Sequence, residues 1–541
     1  MEADAVADAA PRHRRGATPF RDKDTMDKPF RRIAVVGAGA MGRGIAQLFA
    51  QSGFDVVVHD TRAEAIDAAI AHLDSTFGRL AERGKMSADE ARASLARVSR
   101  SDSLDGLADC DLVIEAIVER LDIKQSLFGQ LESICKADAV LATNTSSLSV
   151  TAIASVCRHP GRITGYHFFN PVPLMKVVEV VRGAATEDGP IDRLVELARI
   201  AGHRAVVTRD YPGFIVNHAG RAYGPESIRA VSEGVADPVT VDRILREQVA
   251  FDGKGFKLGP FELLDLTGLD VSHPVMESIY RQFYDEPRFR PSVLTAQHYA
   301  AGWFGRKTGT GFYRYEKGEQ QVPDEPPHAE PSTMPRVWVA PGPAAPALGE
   351  LVEALGGSTA AGATPPADAM VLVAPLGIDA TTAAEGFDAS RVVAIDTLFP
   401  YGHRACKRRV LMGTPATTPA MLAAAAALFS RDGARVSVLR DSPGFIAQRV
   451  VAMIVSVASD IAQQRIASAA DIDEAVRIGL GYPVGPLTMG DRLGPATVVD
   501  ILRGMSRVTG DPRCRPSLWL QRRAQLGLSL LHEDNTGTGS A

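Results

Sequence analysis

The chain predicts an α/β fold: a mostly parallel, doubly wound nucleotide-binding sheet, an all-helical domain, and then an altered second copy of both. Three observations predict it. A short β-branched run, Ile33 to Val36, leads into Gly37-Ala38-Gly39-Ala40-Met41-Gly42 and a helical pattern through Phe49. Strand and helix patterns alternate from there to about residue 211, as in a parallel sheet with crossover helices. Beyond a proline-rich stretch, motifs of the helical part return. At 541 residues the chain exceeds what one core organises, and about 150 residues per domain gives three or four domains.

Residues 1–29 are rich in Ala, Asp and Arg without periodicity and read as a disordered tail; Glu2, Asp4 and Asp8 argue against a transit peptide. Met26, just before the first strand, offers a second start. In the Rossmann-type turn that follows, Gly37 permits the tight bend, Gly39 lets the backbone approach a pyrophosphate, and Gly42 lets the helix pack on the strand, while the helix N-terminus takes the phosphate charge. A second strand, Asp55 to Val58, ends at His59-Asp60, near the spacing of about 20 residues expected of an acid that binds the ribose hydroxyls. Asp60 favours NAD over NADP because a carboxylate repels a 2′-phosphate. Arg62 softens that preference, and Asp60 also reads as a turn residue.

Further strands are predicted at Leu112 to Ile114, Val140 to Thr143 and Ile163 to Tyr166. Ligands of such sheets sit at the carboxyl ends of strands. Glu115, Glu119, Asn144-Thr145-Ser146-Ser147 and His167 all fall there, so four segments converge on one crevice. In Tyr166-His167-Phe168-Phe169-Asn170-Pro171, His167 suits removal of a hydroxyl proton near neutral pH. Glu179, twelve residues on, would fix its tautomer from a strand spanning Lys176 to Val181. Ser146 and Asn217 could polarise the reacting oxygen. The blander readings are a helix N-cap for the Asn-Thr-Ser-Ser run and a satisfied core histidine for His167.

Composition narrows the class. With 45% hydrophobic residues, 23% charged residues and a net charge of -5, the chain has no basic excess to suggest nucleic acid. Cys110, Cys135, Cys157, Cys406 and Cys514 lack CxxC or metal-ligand spacing, so no metal site and no disulfide framework is expected, and the thiols suit a reducing compartment. No apolar run approaches the roughly 18 residues of a membrane helix, and no signal-peptide core precedes the first strand. A cytoplasmic protein without a membrane partner is expected.

The GAGAMG loop, Asp60, VIEAIVERLDIK (113–124), NTSSLS (144–149), GYHFFNPVPLMKVVEVV (165–181) and PGFIVN (212–217) together resemble the L-3-hydroxyacyl-CoA dehydrogenases, in the family's order, over residues 31 to about 315. The resemblance implies NAD-dependent interconversion of an L-3-hydroxyacyl-CoA and a 3-oxoacyl-CoA. By position, His167 and Glu179 resemble the catalytic dyad, and Ser146 and Asn217 the residues that touch the reacting part of the substrate. Gly37, Gly39, Met41, Gly42, Asp60, Glu119, Lys124, Ser146 and Asn170 resemble the cofactor site. Family members hold coenzyme A with a serine and a lysine on the helical insert after the second strand; Thr76 and Arg83 are the nearest matches, with Lys85 close by, although a basic residue there also reads as a solvated helix face. The resemblance further implies an all-helical domain over 212–315 that closes the cleft and makes the dimer contact. Gly305 to Tyr313 is similar to the family's terminal motif.

Residues 316–335 hold Pro323, Pro326, Pro327, Pro331 and Pro335 and read as a linker. Pro443-Gly444-Phe445-Ile446 then echoes Pro212-Gly213-Phe214-Ile215, Gly485-Pro486 echoes Gly259-Pro260, and 511–517 echoes 286–292, a duplication. The expected units are thus a nucleotide-binding domain at 30–211, a helical domain at 212–315, a degenerate Rossmann-like domain at 336–441, a second helical domain at 442–530 and a flexible tail at 531–541. Strands are predicted at Val337 to Val339, Met370 to Val373 and Val392 to Ile395, but no GxGxxG follows the first. Sliding the halves together puts Thr397 opposite His167, Arg409 opposite Glu179 and Gln448 opposite Asn217, so no base remains in the second copy. This arrangement resembles a bacterial fused subgroup that includes 3-hydroxyadipyl-CoA dehydrogenases of phenylacetate breakdown. It implies a short or dicarboxylic acyl-CoA, 3-hydroxyadipyl-CoA before 3-hydroxybutyryl-CoA. The second helical domain is expected to pack on the first, as a homodimer or an intramolecular pseudo-dimer. Oxidation of a free hydroxy acid and a non-catalytic NAD-binding structural or sensor role stay open as alternatives.

Overall fold

The computed structural model describes residues 28–534. The expectations for residues 1–27, Met26 included, and for 535–541 lie outside the described residues. An eight-stranded sheet runs β3-β2-β1-β4-β5-β6-β7-β8. Its strands are β1 (Arg32–Val36), β2 (Asp55–His59), β3 (Val98–Ser101), β4 (Leu112–Glu115), β5 (Val140–Thr143), β6 (Ile163–Phe168), β7 (Val177–Arg182) and β8 (Arg204–Arg209). Helices α1 (Ala40–Gln51), α2 (Ala63–Glu82), α3 (Ala88–Ala96), α4 (Leu121–Ile134), α5 (Val150–Ala154) and α6 (Asp188–Ile200) connect them. Ile33 and Val35 of β1 pack with α1, α2 and α6, while Ala34 and Val36 pack with α4 and α5. Successive side chains of a strand point to opposite faces, so an uninterrupted apolar strand needs helices on both.

All neighbours in this sheet pair in parallel except β6 and β7. The antiparallel pair sets His167 directly across from Glu179. Helices α7 (Val216–Ser232), α8 (Pro238–Glu247), α9 (Pro260–Thr267), α10 (Leu269–Gln282) and α11 (Val293–Ala300) follow. Residues 316–335, expected as a linker, contain the second arm of a hairpin, β9 (Arg314–Glu316) with β10 (Glu319–Gln321). The proline-rich remainder is held by its carboxylates. Glu325 pairs with Arg408 at 2.6 Å and Glu330 with Arg431 at 2.8 Å, because prolines remove ladder donors but leave side chains free to bond.

The second sheet has strands β11 (Val337–Val339), β12 (Met370–Val373), β13 (Val392–Ile395), β14 (Arg408–Gly413) and β15 (Arg435–Leu439) in that order, with α12 (Ala345–Ala354), α13 (Ala380–Ala383) and α14 (Pro419–Ser430). Its pairings are parallel, parallel, antiparallel and parallel, the same series as β4 through β8. Ile395 pairs with Leu411 as Gly165 pairs with Val181, which is the alignment read from the sequence. The second copy therefore starts at the counterpart of β4. It lacks a glycine turn because it lacks the strands that would flank one.

Helices α15 (Ala447–Gln463), α16 (Ala469–Gly479), α17 (Pro486–Leu493), α18 (Pro495–Thr509) and α19 (Leu518–Leu526) complete the fold. Helix α15 is buried along nearly its whole length and packs on α7. Glu226 of α7, 3% exposed, accepts from Arg449 at 2.7 Å and from Arg513 at 3.3 Å; Arg288 pairs with Asp460 and donates to the Arg515 carbonyl at 2.9 Å. Of the expected 531–541 tail, Glu533 accepts from the Ala469 N–H at the start of α16 and Asp534 pairs with Arg523.

Candidate active site

The glycine turn is fixed by crowding. Gly37 adopts φ +110°, where a Cβ would lie 2.5 Å from the Ala116 carbonyl oxygen, and a Cβ on Gly42 would lie 1.8 Å from the Gly37 carbonyl oxygen. A Cβ on Gly39, by contrast, would meet nothing within 4 Å, and Gly39 begins α1 without a side-chain cap. Open space at an uncapped helix N-terminus suits a diphosphate. Asp60 accepts from the Ala38 N–H at 2.9 Å and from the Arg62 N–H at 3.1 Å. It is therefore both a turn residue and a brace for the glycine loop, and a carboxylate with about four acceptor sites has capacity left for ribose hydroxyls. Met41 is partly buried against the core beneath this loop. These residues fit NAD.

At the ends of β4 to β6 the converging side chains form one network. Glu119 takes the Thr145 hydroxyl at 2.6 Å, the Ser146 N–H at 2.9 Å and the Ser147 N–H at 3.1 Å. Burial pushes Glu119 up, but Lys124, Thr145 and Ser146 outweigh it and hold the carboxyl below its usual range. Lys124, expected among the cofactor contacts, is 1% exposed, its ammonium paired with Glu115 at 2.5 Å and with Glu119 at 3.3 Å. The Asn144 side chain accepts from the Phe168 N–H at 2.8 Å, tying the serine loop to the histidine strand. Asn170 is exposed and precedes a cis Pro171.

His167 is 4% exposed and its Nδ1 lies 2.6 Å from Glu179 Oε2. Glu179 is fully buried. Its other oxygen accepts from the Ile215 and Val216 N–H groups, each at 2.9 Å, at the start of α7. One carboxylate thus joins the histidine to the helical domain. With Nδ1 engaged, Nε2 is the nitrogen left for a substrate. The Asn217 side chain donates to the Ser146 backbone carbonyl at 3.3 Å, which brings these two residues together. Thr76 lies on α2, and Arg83 is the exposed C-cap residue that ends it. Three participants are absent from the sequence reading: the N–H groups of Ile215 and Val216, which carry no side-chain signal, and Asp210, which accepts from Ser149, Val150 and Thr151.

The second copy has no such pair. Arg409 is tied to Asp432 at 2.8 Å and to the Tyr401, Gly402 and Phe429 carbonyls, and Gln448 donates to Asp396 at 2.9 Å. Among the described residues no helix is long and apolar enough to cross a membrane.

A dinucleotide turn with a histidine–carboxylate pair at the ends of neighbouring strands defines a nicotinamide-dependent dehydrogenase. The model of the 3-hydroxyacyl-CoA dehydrogenase NAD-binding domain matches residues 32–211, and that of the C-terminal domain matches 213–315 and again 444–532. The chain belongs to the 3-hydroxyacyl-CoA dehydrogenase family, and NAD is its cofactor. It is 36% identical over 495 residues to a 3-hydroxyadipyl-CoA dehydrogenase of Escherichia coli (strain K12), covering 91% of this chain and 97% of that protein. A probable 3-hydroxybutyryl-CoA dehydrogenase of Deinococcus radiodurans is 42% identical, covering 52% of this chain and 100% of its own length. The crystal structure of a 3-hydroxybutyryl-CoA dehydrogenase from Escherichia coli K12 superposes with a TM-score of 0.79 at 34% identity, over 92% of this chain and 98% of that one.

Proposed function

We propose that His167 is the general base that interconverts an L-3-hydroxyacyl-CoA and a 3-oxoacyl-CoA, with Glu179 as its partner and one active site per chain. The observation that carries this reading is the double commitment of Glu179, to His167 and to two backbone N–H groups. A carboxylate so held fixes the ring's tautomer and stabilises the imidazolium formed when Nε2 takes the hydroxyl proton. In the reverse direction the same imidazolium returns the proton. Ser146 and Asn217 donate to the reacting oxygen as it gains or loses carbonyl character. NAD, held by the Gly37–Gly42 turn and Asp60, supplies the two-electron acceptor when bound. Thr76 and Arg83 contact coenzyme A in this reading. The α7–α15 packing supports an intramolecular pseudo-dimer, and the five free thiols support a cytoplasmic setting.

The acyl group is short or dicarboxylic. Two of the relatives carry different acyl names, 3-hydroxyadipyl and 3-hydroxybutyryl. Initial rates of NADH formation with both thioesters, and with free 3-hydroxybutyrate, test the reading. Turnover of at least one thioester but not the free acid is expected; turnover of the free acid alone would overturn it.

A further inference from the structure

We propose that Arg221, with Tyr482 of the second helical domain, receives the distal carboxylate of a 3-hydroxyacyl chain, so that the fused half of the protein completes a dicarboxylate-selective acyl pocket. This rests on the active-site reading above and narrows it to one substrate class.

Arg221 lies on α7 one turn beyond Asn217, and residues four apart share a helix face. Its Nε donates to the Asn217 carbonyl at 3.1 Å, which folds the guanidinium back over the turn that holds Asn217. Its Nη1 is buried without a hydrogen-bond partner, while the residue as a whole keeps partial exposure. Three more deeply buried arginines each face carboxylates: Arg408 meets Glu247 and Glu325, Arg409 meets Asp432, and Arg449 meets Glu226 and Glu233 although its Nη2 is also unpartnered. Among the described residues Arg221 pairs with no carboxylate. Burial accordingly pushes it down to about 10, with only the Tyr482 phenol pulling the other way. A cation left in such a place costs stability unless a ligand supplies the anion.

Tyr482 follows α16 and its hydroxyl is also buried without a partner. Its ring packs on Tyr223 and Phe256, with centroids 5.6 and 5.0 Å away. Leu480 closes the same side, 3.4 Å from where a Cβ on Gly220 would stand. Two unmet donors in an aromatic and aliphatic wall match the need of a carboxylate at the end of a methylene chain. Length agrees as well: in a six-carbon diacid the distal carboxyl carbon lies three bonds beyond the reacting carbon, and the Arg221 guanidinium folds back over the turn next to Asn217, less than one helical turn of about 5.4 Å away. A methyl-ended chain would leave both donors unmet, and a site with unpaired buried polar groups rejects the analogue that cannot pair them.

The test compares kcat/KM for 3-hydroxyadipyl-CoA with that for 3-hydroxyhexanoyl-CoA, the same six carbons ending in a methyl group. The unaltered protein should favour the diacid by about 10- to 100-fold, mainly through KM. Arg221→Met should reduce that ratio by a similar factor, Arg221→Lys should recover part of it, and Tyr482→Phe should lower it several-fold. An unaltered protein without preference for the diacid, or an Arg221→Met ratio equal to the unaltered one, would overturn the proposal. Should Arg221→Met fail to fold by circular dichroism, the unaltered protein's ratio and Tyr482→Phe decide. Turnover of neither thioester by the unaltered protein would instead strike the dehydrogenase reading itself.

Discussion

Glu179 sits where three demands meet: it is fully buried, it faces His167, and it receives the first N–H groups of α7. His167→Gln should lower kcat by about 10²- to 10⁴-fold, with NAD affinity, followed by quenching of protein fluorescence, within about twofold of normal. Equal loss of NAD binding would point to collapse of the crevice instead. Glu179→Gln should also lower kcat, because an amide can present its N–H to Nδ1 and favour the wrong tautomer; pH–rate profiles of the two variants separate the effects. A second histidine gives a pH signature. Burial, helped by Arg221 and Arg288, lowers His218 to about 3. Unfolded, it protonates near its ordinary 6.5, so stability present at neutral pH is lost as pH falls from about 6.5 to about 3, by about 1.4 kcal/mol per unit. Melting temperatures measured from pH 7 to 5 should fall more steeply for the unaltered protein than for His218→Leu. The His167–Glu179 pair was legible because both residues stand in strands at a fixed spacing. Arg221 was not, since a charge on a helix reads as solvated until the packing that seals it is known.

At the scale of elements, the duplicated cap offers an internal control. Asp210 accepts from the first N–H groups of α5, and Asp441 accepts from those of α13 in the same way. Asp210→Ala and Asp441→Ala should each cost about 1–3 kcal/mol in denaturant unfolding, yet only Asp210→Ala should lower kcat/KM, since only α5 follows the Ser146 loop. Equal loss of activity in both would deny the serine loop its part. The glycine turn and the apolar strands β1, β2, β4, β5 and β6 could be read directly. Strands β8, β14 and β15 could not, because Arg204, Arg209, Arg408, Arg409 and Arg435 interrupt the apolar pattern. Partners supplied by distant segments, Glu247, Glu325, Asp432 and Asp471 among them, make such strands tolerable. The reversal of β7 was equally hidden: a mostly parallel sheet was expected, and only the pairing reveals that the dyad is a cross-strand contact.

For the whole molecule, Glu226 is the test of coherence. Breaking a buried ion pair by removing one charge costs about 3–5 kcal/mol, so Glu226→Gln should lower the melting temperature while one cooperative transition persists in calorimetry. Two separated transitions in the unaltered protein would show that the halves fold independently. Aligning the two PGFI motifs puts His218 opposite Arg449 and Val457 opposite Glu226, so the Arg449–Glu226 pair has no mirror image across the interface. In a two-fold dimer every substitution is made on both faces at once; a chain that carries both faces can alter one and leave the other alone. The bond between α7 and α15 therefore does more than replace a subunit contact: it lifts the constraint of symmetry, so that one face can keep the machinery of the reaction while the other drifts, residue by residue, into a wall fitted to a single acyl group.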